Sequence, residues 1–400
     1  MIVAIRISGI ILSLLQFTYL VRTQPEETLG KVLFIVALVN LTAISSRLGM
    51  DNAIVRSLTK NLALNRHFSL NFLIKIAQVS SGIGSLFSAG LLFTVILLIQ
   101  PSLAKQFTYI LLFSPLLISL STINAEVRKS FGNRKEYIIT SNLLHPIVFI
   151  FLYAIFNKKI EIQHIFLLTY VLQFIVTSYL VNLIPIKKNK RRIKFRHCLT
   201  FVNRTKYFFF SNFINRGLLV YGPILFLAVT NQTTEIIAWT ILQRTINIIA
   251  VSIGSINNLA SIDISRYFNL RKRKGLHLFL KKQRKITIKW CIAFCLPILL
   301  LHRPVYEFAF TLTTEVTLPL LILCLAQIVS ASCGPVGYVC LMTNRTYAYL
   351  LSTMMGALIF IASSSLTIAT YGILGAALSL ALAQIAINYS AFIHISKDLK

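Results

Sequence analysis

The sequence predicts an all-α, polytopic membrane protein with about twelve spanning helices in two six-helix lobes, and three observations lead there. First, 56% of the 400 residues are hydrophobic and 13% are charged, with a mean hydropathy of +0.75, whereas an ordinary soluble domain carries roughly 25% charge. Second, apolar runs of the length needed to cross a ~30 Å hydrocarbon core recur along the chain. Third, 40 Lys and Arg stand against 11 Asp and Glu, and the basic residues gather in short blocks between the apolar runs. A formal charge of +29 would suit nucleic-acid binding if it formed one patch. Distributed this way it marks membrane topology, and no nucleic-acid partner is expected.

In order, the expected spans lie near 3–21, 31–49, 76–99, 106–124, 138–156, 163–184, 207–229, 236–258, 286–302, 317–341, 348–369 and 373–394. The first begins at Met1, contains Arg6 and runs to Val21-Arg22-Thr23-Gln24-Pro25 without a small-residue cleavage site, so it reads as an uncleaved helix. The second follows the acidic turn at Glu26 and Glu27 and ends at Arg47. The fifth holds His145 beside Pro146. The seventh and eighth are weaker in hydropathy, because each carries an arginine (Arg216, Arg244) and several amides. A turn at Thr370–Gly372 separates the last two. Pro25, Pro115, Pro146, Pro223, Pro297 and Pro335 lie in or beside spans, where a proline opens the hydrogen-bond ladder and allows a bend.

With the N-terminus cytoplasmic, 31 basic residues fall on the cytoplasmic side. The opposite side holds Arg22, Lys31, Lys105, Lys158, Lys159 and Arg303, and Arg216, Arg244 and Lys289 lie inside helices. That asymmetry follows the positive-inside rule and supports both the helix count and cytoplasmic N- and C-termini. All outward loops are too short to fold as domains. Two inward loops are long: 185–206, with Lys187-Lys188-Asn189-Lys190-Arg191-Arg192, and 259–285, with Arg271-Lys272-Arg273-Lys274 and an amphipathic stretch at 276–284. The expected organisation is a lobe at 1–186, a basic cytoplasmic linker at 187–206 and a lobe at 207–400. Anionic membrane lipids are expected partners of the basic loops.

The chain offers little for catalysis. No Asp or Glu falls in the middle of a predicted span, and there is no phosphate loop, dinucleotide fingerprint or His-Glu-x-x-His. Cys198, Cys291, Cys295, Cys324, Cys333 and Cys340 read as small buried hydrophobes. Cys291 and Cys295 share a helix face without His or carboxylate at ligand spacing. No catalytic residue, metal or cofactor is expected, and a non-enzymatic role follows.

The candidate site is cationic. Counted at ~1.5 Å per residue, Arg216 and Arg244 come out near the bilayer midplane, where an arginine costs ~2.5–3.5 kcal/mol or more and must face the bundle interior or water. Asn212 and Asn215 flank Arg216, and Thr240, Arg244 and Asn247 form one stripe at helical spacing. Arg6, Ser13 and Gln16 make a comparable line in the first span. With no carboxylate in reach to neutralise them, the arginines point to an anionic ligand, and the guanidinium fork suits phosphate. The plainer alternative is that each arginine bonds backbone carbonyls and ties helices together.

Four stretches carry a family resemblance: Arg6-Ile7-Ser8-Gly9 through Gln24-Pro25-Glu26-Glu27 to Gly30; Arg47-Leu48-Gly49-Met50-Asp51-Asn52-Ala53 with Arg56; Ser332-Cys333-Gly334-Pro335-Val336-Gly337 followed by Leu341-Met342-Thr343-Asn344-Arg345; and Tyr371-Gly372-Ile373-Leu374-Gly375-Ala376-Ala377. With these motifs in this order, the chain resembles the Wzx-type O-antigen flippases of the multidrug/oligosaccharidyl-lipid/polysaccharide exporter superfamily. The resemblance implies a MATE/flippase-like fold around a cationic cavity. It also implies movement of an undecaprenyl-diphosphate-linked oligosaccharide, an O-antigen or other surface-polysaccharide unit, across the bacterial inner membrane by alternating access, alongside polysaccharide-assembly proteins. Arg216 and Arg244 would hold the diphosphate, Arg6 and Arg47 would lie toward the cytoplasmic mouth, and Asn212, Thr240, Gln243, Asn247 and Gln327 would face the glycan. Two positions depart from the pattern: Asn215 stands where an Asp is common, and Thr370 where a Pro is. A drug or cation exporter of the same fold and a membrane glycosyltransferase or polymerase are the competing expectations.

Overall fold

The computed structural model describes residues 2–63, 70–156, 160–185, 195–230, 233–269, 272–310, 316–343 and 345–399. The described residues are helical nearly throughout. The helices are α1 (Ile2–Thr23), α2 (Glu26–Ser46), α3 (Met50–Ala63), α4 (Leu70–Ile99), α5 (Pro101–Gln106), α6 (Thr108–Ser130), α7 (Arg134–Ile138), α8 (Leu144–Phe156), α9 (Ile162–Asn182), α10 (Phe195–Asn212), α11 (Leu219–Val229), α12 (Thr233–Asn269), α13 (Arg273–Phe310), α14 (Thr317–Cys333), α15 (Val336–Met342) and α16 (Thr346–Leu399). Two π-turns, Ile139–Leu143 and Phe213–Leu218, join α7 to α8 and α10 to α11 without breaking the rod.

Among the described residues nine helices are long and apolar enough to cross a membrane, or ten when the bent pair α14 and α15 counts as one span. One of the nine, α16, contains two. At Gly372 the backbone turns through φ 51°, ψ −124°, and the Ser352 and Ser390 hydroxyls, equidistant from Tyr371, meet at 3.1 Å. The helix therefore folds back on itself, with Thr367 Oγ1 donating to the Gly375 carbonyl at 3.1 Å across the turn. The 22-residue α1 occupies the first expected run. The all-α polytopic expectation thus holds.

Several boundaries differ from the sequence reading. The expected loop before the third span contains α3, and α4 starts at Leu70 rather than near 76. The seventh span's helix begins at Phe195 rather than 207. The basic segment 259–285 is largely helical, belonging to α12 and α13. In each case charged residues lowered the hydropathy without ending the helix, since Lys and Arg are good helix formers. At 37 and 38 residues, α12 and α13 run to about 55 Å, well beyond the ~30 Å core. The tenth expected span is interrupted at Gly334 and Pro335, where the chain bends by 42°. The block Lys187–Arg192 of the expected linker, and Arg271, lie outside the described residues.

By packing, the chain forms two units. One comprises Met1–Leu12 and Ile35–Gly217, the other Ser13–Phe34 and Leu218–Lys400. In the first, Met50, Ile54 and Leu58, a stripe at i, i+4, i+8 on α3, pack against Leu70, Ile74 and Ala77 of α4 and Ile123 and Val127 of α6. In the second, Ala260 and Ile264 of α12, Leu276 of α13, Val336, Val339 and Cys340 of α15 and Ala391 and Ile395 of α16 form a buried cluster. All six cysteines are free and buried, as expected of small hydrophobes.

Candidate functional site

The site in the first unit is set by how α2 hands over to α3. Leu48 and Gly49 take left-handed conformations (φ 50° and 73°), a common way to end a helix but a strained one for leucine. The hydroxyl of Thr205 donates to the Leu48 carbonyl at 2.8 Å and ties this turn to α10. At Gly49 a Cβ would sit 2.7 Å from the Phe209 amide nitrogen, so the close approach of α10 requires glycine. The turn leaves Asp51 in the first turn of α3, 3% exposed. The apolar stripe of α3 holds it there.

Three side chains converge on that carboxylate. Asn212 donates to Oδ1 at 3.1 Å, Arg216 reaches Oδ2 at 3.3 Å, and Arg47, across the left-handed turn from Asp51, reaches the same Oδ2 at 3.7 Å. Arg47 is buried and also donates from Nε to the Ala43 carbonyl. Arg216 differs: it sits on the π-turn Phe213–Leu218, and 53% of its side chain is exposed. A π-turn inserts an extra residue into the helix and is frequent where a side chain must be re-aimed. Asn215 donates to the Ser211 carbonyl of its own helix. Elsewhere in the unit the Tyr137 hydroxyl donates to Glu126, a second buried carboxylate, at 3.0 Å. Arg47, Asn212 and Arg216 therefore meet at one buried carboxylate.

For Arg216 this corrects the expectation that no carboxylate is in reach to neutralise it. Asp51 enters the sequence reading only within the motif Arg47–Ala53, and the left-handed turn buries it beneath α10. Asp51 lies just past the C-terminal end of α2, and Arg216 reaches it from the π-turn Phe213–Leu218.

Arg244 belongs to the second unit and has a different environment. Its guanidinium donates to the backbone carbonyl and the hydroxyl of Ser13, halfway along α1, and lies over the Phe17 ring, 4.9 Å from its centroid. These contacts tie α12 to α1, in the manner of the plainer reading. Around it, Thr240 is buried and donates to its own helix at Ile236, Gln243 donates to the Val220 carbonyl at 2.6 Å, and Asn247 is exposed. Gln327 donates to Gln384 at 3.1 Å. The predicted site residues thus fall into two groups, one in each unit. Asp51 was not among the expected site residues. The available signal was the closeness of Arg47 and Asp51 in sequence, in a chain with few acids.

No protein-family model matches the sequence, and no curated protein matches it. Solved structures do. The chain is similar to an outward-facing multidrug resistance MATE family transporter of the MOP superfamily, with TM-score 0.70, 15% identity and coverage of 100% of this chain and 94% of the other. An inward-facing structure so described gives 0.69 and 14%, covering 99% and 98%. An aspartate-to-asparagine variant of the Vibrio cholerae MATE transporter VcmN gives 0.67 and 14%, covering 100% and 95%. The fold is therefore the MATE transporter fold, a multi-pass membrane architecture over the whole chain.

Proposed function

We propose that this chain is a transporter that moves a lipid-linked oligosaccharide, an undecaprenyl diphosphate bearing an O-antigen or other surface-polysaccharide unit, between leaflets of the bacterial inner membrane by alternating access. The observation that carries the reading is Arg216. It is half-exposed on a π-turn and shares the Asp51 carboxylate with Arg47. Two arginines on one aspartate leave a cationic excess, and a diphosphate is the anionic part of such a carrier. The guanidinium fork binds phosphate oxygens in pairs. The sequence motifs support the same reading, and the fold is one that transporters use. Anionic lipids would meet the basic α12–α13 end, where Lys281, Lys282, Lys285 and Lys289 are exposed. The chain's termini would lie on that same cytoplasmic side, and polysaccharide-assembly proteins would be its partners there.

One observation favours a second reading. Asp51 is a buried carboxylate, the group that an exporter of cationic drugs would use. Reconstitution separates the two. Proteoliposomes should move a fluorescent lipid-linked oligosaccharide to the opposite leaflet, with Arg216→Ala inactive, and should not export ethidium. Ethidium export lost in Asp51→Asn, without oligosaccharide movement, would establish the drug exporter instead.

A further inference from the structure

We infer that Asp51 is a resident counterion, which an incoming phosphate-bearing ligand displaces from Arg216; this rests on the anion-transport reading. Carboxylate and phosphate oxygens compete for the same guanidinium edge. The existing pair is a loose one. Contacts of 3.3 Å from Arg216 and 3.7 Å from Arg47 are long beside the roughly 2.7–2.9 Å of a tight charge-assisted bond. A ligand that closes a two-point fork on Arg216 improves on what Asp51 supplies.

The geometry also decides which partner leaves. Asp51 is 3% exposed, its Oδ1 is held by Asn212 at 3.1 Å, and its helix is anchored by Met50 and Ile54 in the core. It cannot follow a moving group. Arg216 has over half its side chain exposed and stands on a π-turn, so the arginine swings away while the carboxylate stays with Arg47 and Asn212. The exchange sets selectivity as well. A monoanion offers Arg216 no more charge than the aspartate it must replace. A diphosphate offers more charge and more acceptor oxygens. Asp51 therefore acts as a specificity-determining residue that rejects singly charged anions.

The test uses the full chain in detergent with inorganic pyrophosphate as the probe. The sequence contains three aspartates, Asp51, Asp263 and Asp398, so carboxyl-¹³C aspartate labelling gives three resonances, assignable by Asp263→Asn and Asp398→Asn. Pyrophosphate should shift the Asp51 resonance saturably, acetate should not, and Arg216→Gln should abolish the shift. In calorimetry Asp51→Asn should bind pyrophosphate about tenfold more tightly than wild type, because a competing like charge is gone. If wild type binds pyrophosphate through Arg216 but the Asp51 resonance stays still and Asp51→Asn binds no more tightly, the exchange is wrong and the transport reading stands. If pyrophosphate does not bind, or binds equally to Arg216→Gln, both fall. Should Asp51→Asn fail to fold, the resonance shift in wild type decides.

Discussion

Arg216 and Asp51 stand 165 positions apart in the sequence and 3.3 Å apart in the fold. One is half-exposed and the other buried, with side-chain exposures of 53% and 4%. That asymmetry makes the arginine the replaceable member of the pair, and it separates what each substitution should do.

Arg216→Ala should abolish transport in proteoliposomes while barely moving the melting temperature. A pair so open to its surroundings contributes no more than about 1 kcal/mol after screening. A large loss of stability in detergent melts would instead assign Arg216 a structural role. Arg244→Ala provides the contrast. It loses two hydrogen bonds to Ser13 and a cation–ring contact with Phe17, about 2 kcal/mol together.

Arg47→Ala should destabilise the protein more than Arg216→Ala does. The Arg47 side chain is 9% exposed and lies against a buried carboxylate and the Ala43 carbonyl, and removing such a partner costs about 1–3 kcal/mol. Thermal melts of the two variants side by side check the order, and equal stability would contradict it.

Gly372→Ala should disrupt the α16 hairpin. The residue's φ of 51° with ψ −124° suits glycine, and an added Cβ would collide with the Glu235 carboxylate. Glu235→Ala in the same chain should recover the steric share of the loss and leave the backbone share, on the order of 1–3 kcal/mol. A double-mutant cycle in which Glu235→Ala recovers nothing would place the whole cost in the backbone.

Lys282→Cys should react with a membrane-impermeant maleimide from the side proposed above to be cytoplasmic, because the native cysteines are buried and Lys282 is exposed. Labelling from the opposite side in oriented vesicles would reverse the topology.

The spans were legible because a bilayer imposes a length and a polarity that composition records directly. The last two expected runs stay distinct even where α16 is continuous in outline, since Gly372 marks the fold-back. The amphipathic α3 was not legible, because hydropathy cannot see a helix whose apolar stripe is matched by charge. The candidate site was half legible. Arginines within apolar runs stand out by their cost, so Arg216 and Arg244 were found. Asp51 was named only within a motif, because its burial comes from the Leu48–Gly49 turn and from α10, more than 150 positions downstream. Long-range pairing of this kind leaves no local pattern. Arg244 shows the reverse limit, for its sequence context matched that of Arg216 while its partners are a serine and a ring.

The fold-back at Gly372 also constrains anyone who wishes to work with the protein. Thr367 and Gly375 already touch across it, so there is no slack chain to receive an epitope, a cleavage site or a fused reporter. Insertion at this corner would pry apart the final two rods before it reported anything, and sidedness is better mapped by single-residue chemistry elsewhere.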